Sequence, residues 1–588
     1  MPGRKRKDIE PGASSIFIGN KKWSSMDGMA LRADQLEPGP PSVEALFNWP
    51  TTAVAALGAS EMRRLKLLFS KELVVYSDYS GPDCYREASE LAYLAACRLW
   101  SCQHDAAKLI FARASDGAKL PRKVLSMTSE MFDESRSCVF GDLLDRLEPW
   151  ARDHIFAAAP PRPPPGRLHA GTRNTAYKAV ASIAHQSIID WCSQNRMKIF
   201  RSNVECSIHG GVCPVHPSAR QPSNQSGPDR RATAKEPGSC NSSGSSVGIT
   251  TSTRSDAGDS IADRPLYVST CGVACVGWSS RSVGVQRGTA HGSEIPWAVW
   301  AAERQCYADK LLEDVAFAEF PPMFPQERRE TPQLLTKSII TGPEMMGWPT
   351  RRRRLFCALL NQRTVCWVGP SDHVADFEKK YYKMTQLAGD SLLLSSEEEL
   401  LALYKAMAVA QGNYVDQTVL ADMPVKQLLH CILPVFSRQI YDEYEAVRHE
   451  FQSLGGKYLC DLHQHPRLAG SQGSEFPSQV TNGLVVSMPD EKAGGGFKIA
   501  SGFDHLSANG FHVCPAAQTV FPPSKLITIF RSLTEANRKS LSGNGVHLAC
   551  VGAWLVYILA NVVRIDKPVS IRCLPCSDFS DDYDDADS

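Results

Sequence analysis

The sequence predicts an α/β fold interrupted by a long low-complexity insert, and three observations carry that expectation. An apolar run, Leu73 to Tyr76, ends at the turn Ser77-Asp78-Tyr79-Ser80-Gly81. Ala88, Leu91, Ala92, Ala95 and Leu99 then recur at helical spacing between Tyr85 and Trp100, and strand, glycine turn, helix is how an α/β unit opens. Between 160 and 263 the chain changes to PPRPPPG and SCNSSGSSVGITTSTRSDAGDS, which is too poor in apolar residues to offset the entropy of ordering.

Length and composition set the bounds. A chain of 588 residues exceeds one hydrophobic core, so two domains or one with insertions is expected. Hydrophobic content of 43% and charged content of 22% exclude a wholly disordered, collagenous or coiled-coil chain. Lys and Arg number 64 against 63 Asp and Glu, a net +1, which excludes a uniformly basic coat but not a local basic face. Six aspartates fall in the last twelve residues, SDFSDDYDDADS; without them the rest carries 64 basic against 57 acidic residues, or +7. Such a block reads as a solvated tail. Nineteen cysteines are an odd number and too dilute for a secreted disulfide scaffold. The start, MPGRKRKD, is basic with no apolar run behind it, so an intracellular protein is expected, and Arg4-Lys5-Arg6-Lys7 has the character of a nuclear-import signal.

The elements follow in order. Residues up to about 60 are polar with Pro and Gly and read as a leader. After the first unit, Ser137-Cys138-Val139-Phe140 is a short strand ending at Gly141-Asp142. Inside the insert only Thr175 to Ile199 is helical in pattern. Strands resume at Pro265 to Thr270, Asp314 to Glu319 and Leu355 to Leu360, and Ser396-x-x-Glu399 is a capping box opening a separate helical region. Residues 540–563 lack Asp, Glu, Lys and Arg. Gly543, Asn544, Gly545 and His547 leave about sixteen strongly apolar residues, short for a bilayer span and suited to a buried core helix.

Several residues carry chemistry only in combination. Asp78-x-Ser80-Gly81 alone is a weak nucleotide-turn signal, and Cys275 alone is as readily a buried thiol as a nucleophile. Glu319 closes an apolar strand, where an unpartnered carboxylate would be costly. Arg351-Arg352-Arg353-Arg354 enters a strand, so alternate arginines face opposite sides.

The order of these pieces resembles the cytosine carbon-5 methyltransferase family, and the wording around them is similar to its divergent dinoflagellate branch. VVYSDYSGPD (74–83) looks like the first cofactor motif, with Tyr79 and Gly81 in place. Cys275 in GVACVGWS is similar to the nucleophile loop, with Trp278 and Ser279 where an aromatic and a phosphate-contacting serine are usual. Glu319 in VAFAEF resembles the catalytic glutamate. GWPTRRRRLF (347–356) places Arg352 and Arg354 on the family's pocket arginines, GFDHLSANGFHV (502–513) is a looser match, and LSGNGVHLACVGAWLVYILAN (541–561) resembles the last motif.

The resemblance implies a doubly wound, Rossmann-like, S-adenosylmethionine-dependent methyltransferase fold with a smaller target-recognition lobe. The division it implies is 1–63 disordered leader, 64–156 and 264–368 the two halves of the catalytic domain, 157–263 the insert, 369–500 target recognition, 501–566 the returning motifs and 567–588 the acidic tail. Cys275 would add to cytosine carbon 6, Glu319 would hold ring nitrogen 3, Arg354 the exocyclic oxygen, and Arg352 would organise Glu319 and the nucleophile loop. Asp78, Tyr79, Ser80, Gly81, Asp116, Asp142, Asn544 and Val546 would hold the cofactor. DNA is the implied partner, with the base flipped out of the duplex. The same motifs serve RNA methylation in one branch, and a non-catalytic binder that kept the fold, or a membrane-anchored protein using 546–563, are the other readings.

The sequence departs from the family pattern at Ala274, Asp83, Phe320-Pro321, Thr350 and His512. Asp83, replacing the last glycine of the first motif, is expected to crowd the cofactor's methionine end. Separately, Cys206, His209, Cys213 and His216 have spacing compatible with tetrahedral zinc, whereas Cys460, His463 and His465 read as ordinary loop residues.

Overall fold

Seven strands build the centre of the computed structural model: β1 (Leu73–Asp78), β2 (Leu109–Ser115), β3 (Cys138–Phe140), β4 (Leu266–Gly272), β5 (Val315–Phe320), β6 (Leu334–Thr341) and β7 (Arg354–Asn361). Their order is β3-β2-β1-β4-β5-β7-β6. All neighbours are parallel except β7, which is antiparallel to both β5 and β6. The structure describes residues 35–101, 109–132, 137–161, 172–216, 264–272, 276–278, 288–448, 458–466, 472–488 and 496–565. The basic cluster at 4–7, the acidic tail, the Ser/Gly-rich run, and Ala274, Cys275 and Ser279 lie outside them.

β1 and β5 are buried along their whole length, because both faces of the sheet are covered. On one face Val315, Phe317, Phe356 and Ala358 meet α1 (Cys84–Leu99) and the apolar C-terminal helix. On the other, Ala316, Ala318, Phe320, Leu355 and Cys357 meet α2 (Thr172–Asn195) and α3 (Glu294–Asp309). The alternation along β5 is the period-two signature of a strand packed on both sides. This is a doubly wound α/β sheet. The chain runs one way from β1 to β3 and the other from β4 onward, so the strand ends of β1 and β4 form a topological switch point, where ligands bind in open α/β sheets.

Three expectations are corrected. Residues 35–63 are not a disordered leader: helices Val43–Phe47, Trp49–Ala55 and Ala59–Phe69 bury Leu46, Phe47, Trp49, Val54, Leu65 and Leu68 in the main core. Their apolar residues cover the C-terminal helix. Within the insert, residues 172–216 are folded, as α2 and a hairpin, Asn203–Cys206 with Gly211–Pro214. Strands β2 and β6 escaped the sequence reading because Arg113 and Lys337 break their apolar runs.

The apolar C-terminal segment is a core helix, α4 (Leu548–Ala560), every residue of which is buried. With the preceding helix it forms the one stretch among the described residues, 535–560, long and apolar enough to cross a membrane, and 89% of the most apolar 18 residues of that stretch are inside the protein. Residues 397–499 build their own core of Leu400, Tyr404, Leu429, Ile432, Tyr444 and Val486. Among its described residues are four helices and a four-stranded antiparallel sheet. Ser396 caps its first helix, accepting from Glu399 N while Glu399 accepts from Ser396 N at 2.9 Å.

Candidate functional site

The turn after β1 forms the floor of the switch point. Tyr79, Gly81 and Asp83 have φ of +48°, +55° and +63°, and Asp83 N donates to Ser80 O at 2.8 Å to close the turn. Position 83 therefore keeps the left-handed backbone of a glycine, which aspartate tolerates better than most residues. Gly81 is required for space as well as conformation: a Cβ there would lie 3.2 Å from the Asn544 carbonyl oxygen. A Cβ on Gly272, the last residue of β4, would lie 3.0 Å from the Tyr79 carbonyl and 4.0 Å from Val546 Cγ2. Val546 N donates to Cys84 Sγ at 3.2 Å. The first and last motifs thus meet across the ends of β1 and β4.

Two carboxylates stand beside this turn. Asp116, just past β2, accepts from Gly81 N at 3.2 Å and Ala118 N at 2.8 Å, and burial raises its pKa. Asp142, just past β3, accepts from Leu144 N at 3.0 Å, and its Oδ2 would be 3.0 Å from a Cβ on Gly117. Ser80 is buried, its hydroxyl 3.4 Å from the Ser115 carbonyl. The Tyr79 hydroxyl is buried with no hydrogen-bond partner among the described residues.

Asp78 does not face this cleft. Its side chain is fully buried and paired with Arg146, Arg113 and Arg304, with Ser115 Oγ donating at 2.9 Å. Glu303 and Glu313 complete the cluster on the same arginines. Burial alone would raise the Asp78 pKa, but the three guanidiniums hold it well below its ordinary value. Asp78, Glu303 and Glu313 share the three arginines, so the expected cofactor contact is instead part of a structural ion network between the sheet and α3.

On the far side of the switch point, Glu319 is in register with Gly272 of β4 and Phe356 of β7. Arg354 Nε lies 2.7 Å from Glu319 Oε1. Arg352 is almost wholly buried and clamps the last motif: it donates to the carbonyls of Gln479 at 3.3 Å, Gly543 at 3.1 Å and Gly545. Burial, with Arg354 nearby, lowers its pKa to about 9, yet a guanidinium stays charged at neutral pH. Arg352 therefore holds the 543–545 turn, while the nearby Glu319 charge acts to raise its pKa; the nucleophile loop lies outside the described residues. Arg351 and Arg353 point away, to Glu475 and Glu344, as alternation along an extended chain requires. Trp278 is also turned inward, donating to Glu294 Oε1 at 2.8 Å and packing edge-on against Phe324. Cys84 and Glu344 went unnoticed in the sequence, since a cysteine after a turn and a lone glutamate carry no pattern. A cavity lined by Leu394, Phe503, Asp504, Cys514 and Arg531 lies elsewhere and shares no residue with this cleft.

The cysteine–histidine cluster is real but differently composed. Cys138, Cys206, His209 and Cys213 present ligand atoms that all lie within 4.8 Å of one another. His216, expected as the fourth ligand, is instead buried under the sheet among Tyr76, Tyr267 and Tyr307, its Nε2 donating to Leu312 O at 3.0 Å. Burial drives its pKa down to about 3. Cys206 is pulled down to about 4, foremost by Cys138, then by the backbone N–H groups of His209, Ile208 and Val139. Cys460 is buried in the core of residues 397–499, while His463 and His465 bond to Asn482 and Glu443, so those three form no cluster.

Fold and site define a doubly wound α/β protein with two carboxylates, Asp116 and Asp142, beside the turn at its switch point. No family model matches the sequence, and none of the curated proteins matches it. Among solved structures, the methyltransferase EhMeth of Entamoeba histolytica aligns at 11% identity and a TM-score of 0.34, covering 83% of this chain and 98% of that one. The Dnmt2 methyltransferase of S. pombe aligns at 10% and 0.31, covering 83% and 98%. A DNMT2 mutant of Spodoptera frugiperda gives 10% and 0.30, covering 83% and 99%. The fold assignment rests on the sheet order, not on these scores.

Proposed function

We propose that the protein transfers a methyl group from S-adenosylmethionine to carbon 5 of cytosine in DNA, through a covalent adduct on Cys275. The observation that carries this reading is the register of β4 on β5. Gly272, three residues before Cys275 in sequence, pairs with Glu319, whose carboxylate is held by Arg354 at 2.7 Å. The first and last motifs meet beside the same strand end.

The residues suit the cofactor. An adenosyl group presents hydroxyl and amino donors, and Asp116 and Asp142 offer acceptors at adjacent strand ends, with the unpartnered Tyr79 hydroxyl close by. When bound, the cofactor supplies an electrophilic methyl group on a sulfonium. Cys275 supplies the thiolate that adds to carbon 6 and makes carbon 5 nucleophilic, and once carbon 5 carries the methyl group, loss of its proton expels that thiolate. Glu319, in its acid form, donates a hydrogen bond to ring nitrogen 3 as negative charge develops there. Arg354 fixes the Glu319 carboxylate and presents its remaining N–H groups to the base. Residues 397–499, with a separate core, act as the recognition lobe for a flipped base, and the cluster at 4–7 directs the protein to the nucleus.

The test is label transfer from S-adenosylmethionine to duplex DNA and to tRNA, run side by side with wild type and Cys275→Ser. Transfer to DNA that Cys275→Ser abolishes supports the reading, and transfer confined to tRNA replaces the substrate. Activity surviving Cys275→Ser overturns the covalent mechanism.

A further inference from the structure

We infer that Cys138, Cys206, His209 and Cys213 form a structural site for one tetrahedral zinc-type ion, which fastens the hairpin of the insert to the edge strand of the central sheet. His209 Nδ1 lies 3.3 Å from Cys206 Sγ, 3.3 Å from Cys213 Sγ and 3.7 Å from Cys138 Sγ. Zinc bonds of about 2.3 Å to sulfur and about 2.0–2.1 Å to nitrogen in a tetrahedron put nitrogen and sulfur about 3.6 Å apart. The three distances bracket that edge, and no two of the four ligand atoms are more than 4.8 Å apart. Three thiolates and an imidazole with no fourth-position opening are the donor set of a closed structural site.

The fold explains how the four meet. Cys206 ends one hairpin strand and Cys213, paired with Val204, lies on the other. His209 sits in the tip beside Gly210, whose φ of +62° lets the chain turn back. Cys138 opens β3, sixty-eight residues earlier in sequence, and Ser207 N donates to Val139 O at 2.9 Å, docking the tip on that strand.

Something must hold this hairpin in place. Its strands are four residues each, and a two-stranded hairpin is marginal alone in water. The apolar contact beneath it is small, centred on Phe140, Val204 and Val215. Arg113 anchors only its exit, donating to Val215 O at 2.7 Å, and His216 is used there too. Among the described residues the tip is held, apart from the cluster, by the single Ser207 N–Val139 O hydrogen bond and the contact of Ile208. A metal bond set supplies folding free energy to such a segment directly.

Purified full-length protein, prepared with reductant and zinc, is analysed for bound metal and then exchanged with Co²⁺. The expected result is a single ion per chain, with the intense visible absorption of tetrahedral thiolate-bound Co²⁺. Cys138→Ser and Cys213→Ser lose the ion, whereas His216→Ala keeps it. Wild-type protein without metal, weak octahedral Co²⁺ absorption, full stoichiometry in Cys138→Ser, or loss of metal in His216→Ala overturns the assignment. The spectrum of wild type decides the matter even where a variant fails to fold, and none of these readouts depends on methyl transfer.

Discussion

Arg354 Nε lies 2.7 Å from Glu319 Oε1 across the antiparallel pair β5–β7, with Arg354 the more exposed partner. The pair sits where β4 hands the chain toward Cys275. Arg354→Ala and Glu319→Gln should each lower methyl transfer by about 10²–10³-fold, the usual loss when a group aimed at developing charge is removed. The half-open ion pair adds about 1 kcal/mol or less to stability, so the melting temperature of Arg354→Ala should barely move. Wild-type turnover in both variants would remove this pair from the reaction.

Arg352 behaves differently because it is buried on three carbonyls. Arg352→Met strips donors from Gln479, Gly543 and Gly545, and should cost about 3 kcal/mol in denaturant unfolding. Cofactor affinity should fall with it, since the 543–545 turn lies against Gly81. Unchanged unfolding in Arg352→Met would contradict the clamp.

Asp78 separates structural from cofactor roles. Removing one acid from the buried network leaves arginine charge uncompensated, and Asp78→Asn should destabilise by about 3–5 kcal/mol. Cofactor affinity of the folded fraction, measured by calorimetry below the melting point, should stay near wild type. A selective loss of affinity without loss of stability would restore Asp78 to the cofactor site.

Glu87, on α1, gives a pH dependence. Burial, with Glu90 adding to it, pushes its pKa up from 4.5 to about 7. The folded state therefore favours the protonated form. Its stabilising contribution is complete below pH 4.5 and is lost as pH rises through about 7. Glu87→Gln removes this titration and should be more stable than wild type at pH 8, by up to about 3 kcal/mol. Parallel stability–pH curves for the two proteins would refute it.

Gly552 is where the N-terminal helices meet α4. A Cβ there would lie 2.1 Å from Trp49 Cζ3, so Gly552→Val should displace the indole. The expected cost is about 1–3 kcal/mol, as for overpacked cores. Limited proteolysis should then cut within residues 35–57 earlier than in wild type, and an unchanged cleavage pattern would count against this docking.

The locally encoded elements are legible in the sequence. The strand and turn at 73–81, the helix that follows, the capping box at Ser396 and the core helix at 548–560 all depend on residues within one or two turns of each other. Alternation along 351–354 likewise follows from backbone geometry alone. The leader was misjudged because Leu46, Phe47 and Trp49 are sparse in a polar stretch, and their burial depends on a helix five hundred residues away.

The sequence by itself determined the periodicities, the turn chemistry and the order of the chemical residues, because each is encoded between near neighbours. Only the tertiary structure decided that Asp78 feeds an ion network, that Arg352 clamps a turn while Arg354 meets Glu319, and that Cys138 stands in place of His216 in the cysteine–histidine cluster. Those choices turn on which side chains a parallel sheet brings together across tens to hundreds of residues. A buried charge takes whatever opposite charge the packing offers, and a soft ligand set closes on whichever sulfur the sheet edge presents.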